Sequence, residues 1–321
     1  MKMLPLLAVD TTTDWLVLGI VGEEGWWARR AHARRAHQEI LFSELSSLLA
    51  EAELDIADIR CVAVGIGPGS YTGMRIGITF AKTLGHAKDL PLVPVDSLAA
   101  QALSAVANRL NLAEGGLFRV LVILDARRAR YYSAEYEFGT RRDARAEEGA
   151  QHAAERGPEN AAEQSAHQGE AQSVGKRASQ RAEHHEARGG EQPVLDRGMD
   201  DEAGVDPRAL GEALSLRVLS EPRALTKEEA ISVARGFAYG AEEDAARGWE
   251  SAGARMFLAD ERTRAVLPPD IATRAEEPTF EAQALLALGY MQVLSGSTMG
   301  WEAISAAYLR PSYAEEGDRQ R

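Results

Sequence analysis

The sequence holds a single cysteine, Cys61, so the chain can build neither a disulfide framework nor a cysteine-based zinc site. It also lacks a surplus of positive charge: the formal net charge is −13 and the pI about 5.1. That argues against a protein that binds nucleic acid alone, because phosphate contacts need clustered Lys and Arg. A subunit that works on nucleic acid through a more basic partner stays open. Long apolar runs are missing as well. The first one, Leu4 to Val9, ends at Asp10 and is shorter than a signal peptide or a membrane span of about 20 residues requires. A cytoplasmic protein with no membrane contact is the expectation. Catalytic signatures are equally scarce. There is no G-x-S-x-G elbow, and His32 and His37 are five residues apart rather than the four that put two zinc ligands on one helix face. No catalytic residue and no metal site are expected.

What is present is a chain long enough for two domains of ordinary size, with 45% hydrophobic residues to fill their cores. Leu4–Val9, Trp15–Val21 and Trp26–His32 read as strands of an antiparallel meander, separated by the turn sequences DTTTD and GEEG. His37–Ala52 reads as an amphipathic helix with Leu41, Leu45, Leu48 and Ala52 on one stripe. A strand at Arg60–Ile66 enters a glycine-rich turn and a second helix; a strand at Leu92–Val95 and a helix at Ser97–Leu110 follow. After Gly116 the pattern restarts, with Phe118–Leu124 and Tyr131–Phe138 as a hairpin, which suggests two related α/β halves. Further on, Thr226 with Glu229 three residues later predicts a capped helix, and Phe280–Leu294 an apolar one.

Between these parts the composition changes. From Arg141 to Pro193 the only large aliphatic or aromatic residue is Val174, and four of the seven histidines lie here: His152, His167, His184 and His185. Such a segment cannot bury enough apolar surface to offset the entropy of ordering it. A disordered or loosely helical surface insertion is expected over 139–213, and the irregular histidine spacing favours solvated linker over metal tract.

Two stretches could carry chemistry. In AVDTTTD, Asp10, Thr11 and Thr12 occupy a hairpin turn, where hydroxyls and amides can face a phosphate and the carboxylate a hydrated magnesium ion. The alternative is a turn that satisfies its own backbone. In GIGPGSYTG, Gly67, Gly69 and Ser70 precede a helix N-terminus, again compatible with phosphate, but the lysine of a P-loop is missing. Arg127, in the turn of the second hairpin, could pair with a phosphate or serve only as a charged turn residue. The helix after the glycine turn is more informative. Ile76, Phe80 and Leu84 form one apolar row, expected to dock on the chain's own sheet. Gly73, Gly77, Ala81 and Gly85 form a row of small residues on another side, flanked by Met74 and Ile78. Several glycines in one helix, each costing roughly 1 kcal/mol against alanine, call for a close contact in return. The small row is expected to face a partner.

In order, LLAVDTTTDWLVLGIV, HQEILFSELSSLLAEAEL, VAVGIGPGSYTGMRIGITFAKTLG, PLVPVDSLAA, VLVILDARRARYY and the closing AAYLRP resemble the bacterial TsaB (YeaZ) family. The likeness is close over Leu4–Glu137, thinner over Leu216–Glu229 and Glu277–Pro311, and excludes the insertion. It implies a two-domain fold of the actin, sugar-kinase and Hsp70 kind. The first domain would span 1–112 and the second 113–321. It further implies a non-catalytic scaffold that binds and activates the threonylcarbamoyltransferase subunit TsaD, with the ATPase TsaE, in the modification of the adenosine beside the tRNA anticodon. tRNA would be reached only through that complex. The partner face implied by the family is built from the two helices of the first domain, here His37, Leu41, Leu45, Tyr71, Gly73, Met74, Gly77, Ile78, Ala81 and Gly85, and the same face would serve a homodimer. The chain would have no cofactor of its own; ATP or ADP with magnesium at the subunit boundary is the ligand left open. Two other readings of the same fold are an ATP-binding phosphotransferase or ATPase built on Asp10 and the glycine turn, and a glycoprotease-like peptidase. The Gly-Asp-Gly type turn expected later in the family is absent; RGFAYGAEEDAARGWE stands there instead.

Overall fold

Two mixed β-sheets carry helices on their faces in a computed structural model that describes residues 3–34, 36–110, 116–140, 205–240 and 254–309, with the backbone of 196–197. The first sheet is built around β1 (Leu6–Asp10), whose five side chains are all buried. β1 pairs antiparallel with β2 (Trp15–Val21) and parallel with β4 (Cys61–Gly67). With β3 (Trp26–His32), β5 (Leu92–Asp96) and the two-residue β8 (Asp196–Arg197) the order is β5-β4-β1-β2-β3-β8. The expected meander of the first three strands is therefore present, and β1, buried on both faces, reads as continuous apolar sequence for that reason.

The second sheet has the order β11-β10-β6-β7-β9. β6 (Phe118–Asp125) and β7 (Arg130–Thr140) form the expected hairpin, β9 (Leu214–Thr226) extends it, and β10 (Ala254–Ala259) and β11 (Ala275–Glu276) run parallel to β6 on the other side.

Among the described residues, three cores separate these layers. On the outer face of the first sheet, α1 (His37–Glu51) and α2 (Tyr71–Lys88) bury Leu41, Leu45, Leu48, Met74 and Ile78 against Leu7, Val9 and Val64. On its inner face lie α3 (Ser97–Val106), α4 (Pro207–Ala213) and α8 (Ala282–Leu294), in a core shared with Val120, Val122 and Tyr136 of the second sheet. On the far face of the second sheet, α5 (Lys227–Tyr239) and the short α6 (Glu261–Arg264) and α7 (Pro269–Ala272) close a third core. The capping box predicted from Thr226 and Glu229 starts α5. The apolar helix predicted near the end is α8, buried over its first two turns, with Gly289 pressed on Ala63 of β4. The lobes thus interleave in sequence, since α8 returns to the sheet that the N-terminus begins.

One expectation needs correction. The segment 139–213 was expected to be insertion throughout, but Gly139 and Thr140 end β7, and Pro207–Ala213 is a packed helix. Asp206 caps it, Pro207 opens it, and Leu210 and Gly211 press against α8. A capped start followed by Leu210 and Leu214 one turn apart gives this short run the apolar face that the rest of the segment lacks. Residues 141–195 and 198–204, with the four histidines, lie outside the described residues, as does most of RGFAYGAEEDAARGWE.

Candidate partner groove and the turn beneath it

α1 and α2 lie side by side on the first sheet and leave a groove of about 1180 Å³ between their outer faces. Leu45 and Leu49 of α1 and Ile76, Phe80 and Leu84 of α2 line it, with Gln38, Asp55 and Arg75 among its polar residues. Phe42 stands in this groove 65% exposed, and Tyr71 at its α2 end is 45% exposed. Large aromatic side chains so placed along an apolar groove mark a surface suited to another protein.

This arrangement inverts the face expected for α2. Gly73, Met74, Gly77, Ile78, Ala81 and Gly85 are buried against their own chain, whereas Ile76, Phe80 and Leu84, expected to dock on the sheet, form the partly exposed groove wall. The physical reason is the closeness of the β1–β2 turn. A Cβ on Gly73 would stand 1.9 Å from the Thr11 carbonyl oxygen, and one on Gly77 would stand 2.6 Å from Thr11 Oγ1. A Cβ on Gly85 would meet Leu92 at 3.1 Å. The glycines give the close contact that their number demanded, but the neighbour is the chain itself. Of the ten residues expected at a partner face, Tyr71 is exposed and Leu41 and Leu45 reach the groove floor while largely buried. His37 is interior, its Nε2 3.4 Å from the Trp15 carbonyl, and burial lowers its pKa.

Phe42, Leu49, Ile76 and Phe80 are the residues this reasoning missed. A signal for them exists: Phe42 and Leu49 are seven apart and lie off the Leu41–Leu45–Leu48 stripe, so α1 has a second apolar row that one sheet cannot cover.

The candidate phosphate residues converge directly beneath α2, and their polar groups engage one another. Asp10 is fully buried; its Oδ1 accepts from Thr12 N at 2.6 Å and Thr12 Oγ1 at 2.7 Å, and its Oδ2 accepts from Ser97 Oγ at 2.6 Å. Ser97 Oγ in turn accepts from Gly67 N at 3.1 Å. Ser70 N donates to the Thr12 carbonyl at 2.7 Å, and Ser70 Oγ caps α2 by accepting from Gly73 N at 3.2 Å. Thr11 Oγ1 donates to the Gly73 carbonyl at 2.7 Å and accepts from Gly77 N at 3.0 Å. Close approach explains the glycines here too: Gly65 passes over the Asp10 carboxylate, and Gly69 over the Thr12 carbonyl. Gly67 has φ +99°, a conformation that only glycine adopts readily.

Burial dominates the electrostatics of this cluster. It pushes the Asp10 carboxyl up to about 6, against the opposing hydrogen bonds from Ser97 and Thr12. Asp96, at the end of the next strand, is also raised by burial; its Oδ2 accepts from Tyr136 Oη at 2.5 Å, which ties the second sheet to the first. Arg127 belongs to a different turn. It sits at φ +69° in the β6–β7 turn, with its N–H on Asp125 Oδ1 at 3.0 Å and its guanidinium 3.8 Å from Asp125 Oδ2.

The closing segment runs along the flank of α2. Met299 pairs with Leu92, Trp301 meets His86, the Ile304 carbonyl accepts from Lys82 Nζ, Ala307 N donates to the Ile66 carbonyl, and Tyr308 stacks near Tyr71. Among the described residues, no three of His, Cys, Asp and Glu converge as a metal site, and no helix is long and apolar enough to cross a membrane.

Comparison with known proteins gives the following. The family model described as TsaD, tRNA N6-adenosine threonylcarbamoyltransferase, matches residues 31–186. Over 144 residues the chain is 36% identical to an uncharacterized protein of Mycobacterium tuberculosis, an alignment covering 42% of this chain and 61% of that one. It is 32% identical over 132 residues to the tRNA threonylcarbamoyladenosine biosynthesis protein TsaB of Escherichia coli, covering 41% and 54% respectively. The alignments therefore span between half and two thirds of these curated relatives. Among solved structures, YeaZ from Pseudomonas aeruginosa superposes with a TM-score of 0.55 at 18% identity over 95% of this chain and 99% of that one, a likeness of fold.

Proposed function

We propose, from this likeness to the TsaB/YeaZ proteins, that the chain is a non-catalytic subunit in the biosynthesis of threonylcarbamoyladenosine in tRNA. Its task is to hold a TsaD-like catalytic subunit on the α1–α2 groove, together with a TsaE-like ATPase, while tRNA is reached through the assembly. The observation that carries this reading is the groove itself, with Phe42 held open to solvent beside a partly buried Phe80 on two helices that are otherwise firmly seated on their sheet. Desolvating such aromatic anchors is what concentrates binding energy in an interface. The acidic balance of the chain accords with indirect rather than direct contact with tRNA.

The phosphotransferase reading is less well supported, because the hydroxyls of Thr11 and Thr12 and the amides of Thr12, Gly67, Ser70 and Gly73 are engaged within the chain. Reconstituted tRNA modification with the TsaD-like and TsaE-like proteins of the same organism tests the proposal. Activity is expected to depend on this chain and to be lost with Phe80→Asp; undiminished activity without the chain would refute it.

A further inference from the structure

Thr11 is set into the side of α2. Its hydroxyl donates to the Gly73 carbonyl at 2.7 Å and accepts from the Gly77 amide at 3.0 Å, and all three residues are buried. Gly73 and Gly77 are four apart, so these are the two backbone groups of one rung of the helix ladder. A single side chain from another element thereby touches both ends of that rung. At these positions the helix has no side chain of its own to pack, and the Thr11 residue is what it meets.

We propose that Thr11 is a positioning residue for the α1–α2 groove: through its hydroxyl it fixes the roll and height of the first turns of α2, and so where Tyr71, Ile76 and Phe80 stand. The inference rests on the reading of the groove as the partner site. Its argument is geometric. Gly85 and Ala81 seat the other half of the helix by van der Waals contact, which limits approach but tolerates sliding and rotation. Hydrogen bonds are directional, and two of them from one oxygen admit one height and one rotation of the helix. An error of one residue in helix register is a rise of about 1.5 Å and a turn of about 100°, enough to carry Phe80 off the groove wall. Thr11 is itself held from behind. The flanking Asp10 and Thr12 are locked to each other, and the Thr12 carbonyl receives the Ser70 amide at the start of α2. The turn that could have been a phosphate cradle is thus a peg for the helix that carries the partner face.

The test measures the affinity of the full chain for the purified TsaD-like subunit of its organism, by calorimetry, alongside thermal unfolding and amide exchange at Gly77. Thr11→Val keeps the shape and removes both hydrogen bonds; it is expected to weaken binding about tenfold or more, with faster exchange at Gly77. Thr11→Ser restores the hydroxyl and is expected to bind within about twofold of the parent, an interval below one ordinary hydrogen bond. Gly77→Ala displaces the hydroxyl from the helix side, so it is expected to reproduce the loss and to be less than additive with Thr11→Val. It also serves if Thr11→Val does not fold. Parental affinity in a folded Thr11→Val or Gly77→Ala chain would overturn the inference, as would an equal loss with Thr11→Ser. Phe80→Asp separates the two levels. If it leaves binding intact, the groove reading falls and this inference with it; if it abolishes binding while the Thr11 and Gly77 variants do not, only the positioning role falls.

Discussion

Phe42 of α1 meets Phe80 of α2 edge to face, with ring centroids 6.0 Å apart and planes at 75°, on the outside of the molecule. The pair joins the two helices, yet most of Phe42 is left to solvent. Its burial therefore contributes little to the fold and is still available to a partner. Phe42→Ala is expected to change unfolding stability by less than about 1 kcal/mol. The same substitution is expected to weaken binding of the TsaD-like subunit by about 2 kcal/mol or more, roughly thirtyfold, as truncating an interface anchor does. Urea unfolding and calorimetric titration on one preparation check the two halves.

The glycines of the helices are expected to respond in opposite directions to alanine. Gly236, exposed in α5, has open space where a Cβ would stand, so Gly236→Ala should stabilise by roughly 0.5–1 kcal/mol through helix propensity. Gly73→Ala gains the same propensity but drives a Cβ to 1.9 Å from a backbone oxygen of Thr11. Overpacking of that kind typically costs 1–3 kcal/mol or more, so net destabilisation is expected. Denaturant midpoints of the two variants against the parent decide it.

Asp10 should leave a mark on the pH dependence of stability. Burial raises its folded pKa from 3.8 to about 6, so between these values the folded chain binds more protons than the unfolded one. The contribution of this group is therefore fully present below pH 3.8 and is lost as pH rises through about 6, by roughly 3 kcal/mol in all. Asp10→Asn keeps an acceptor for Thr12 and offers an amide to Ser97 Oγ. It is expected to flatten the curve between pH 4 and 7 and to be more stable than the parent at pH 8. Asp10→Ala leaves the Thr12 and Ser97 donors without their partner and is expected to destabilise at every pH, by about 1–3 kcal/mol. Unfolding midpoints from pH 4 to 8 for the three chains check the sign.

The isolated chain is expected not to bind ATP with magnesium. The amides of Thr12, Gly67, Ser70, Gly73 and Gly77 and the hydroxyls of Thr11 and Thr12 already have partners within the chain, and a phosphate would have to displace them. Titration calorimetry is the measurement, and tight binding that Asp10→Ala abolishes would restore the phosphotransferase reading.

Much of the architecture was legible because local chemistry and tertiary context agree. The DTTTD and GEEG turns delimit β2, Thr226 and Glu229 make the cap they imply, and the Phe118–Phe138 hairpin pairs as its pattern suggests. The face of α2 was not legible. Helical spacing states which residues share a side, so Gly73, Gly77, Ala81 and Gly85 were rightly grouped, and so were Ile76, Phe80 and Leu84. Spacing does not state what each side meets. Apolar side chains normally turn inward, and here they turn outward because the turn at Thr11 comes too close for anything larger than glycine. The same distance explains why Asp10, Thr11 and Thr12 could be read as a ligand site: hydroxyls beside a helix start look alike whether they hold a phosphate or the helix itself. The helix Pro207–Ala213 was missed for a different reason, since a run of seven residues is lost in the composition of its neighbours.

The placement of α8 bears on the order in which the molecule can be completed. Leu6, Ala8, Val17 and Ala63 emerge from the ribosome early, but much of the cover over that side of their sheet is Ala282–Leu294, translated long afterwards. Until then the nascent first lobe exposes an apolar sheet, and its final packing is a contact between distant parts of the chain, which slows folding. A ribosome stalled before Ala282 should therefore hold a lobe that is protease-sensitive and readily bound by chaperones, however native its hairpins.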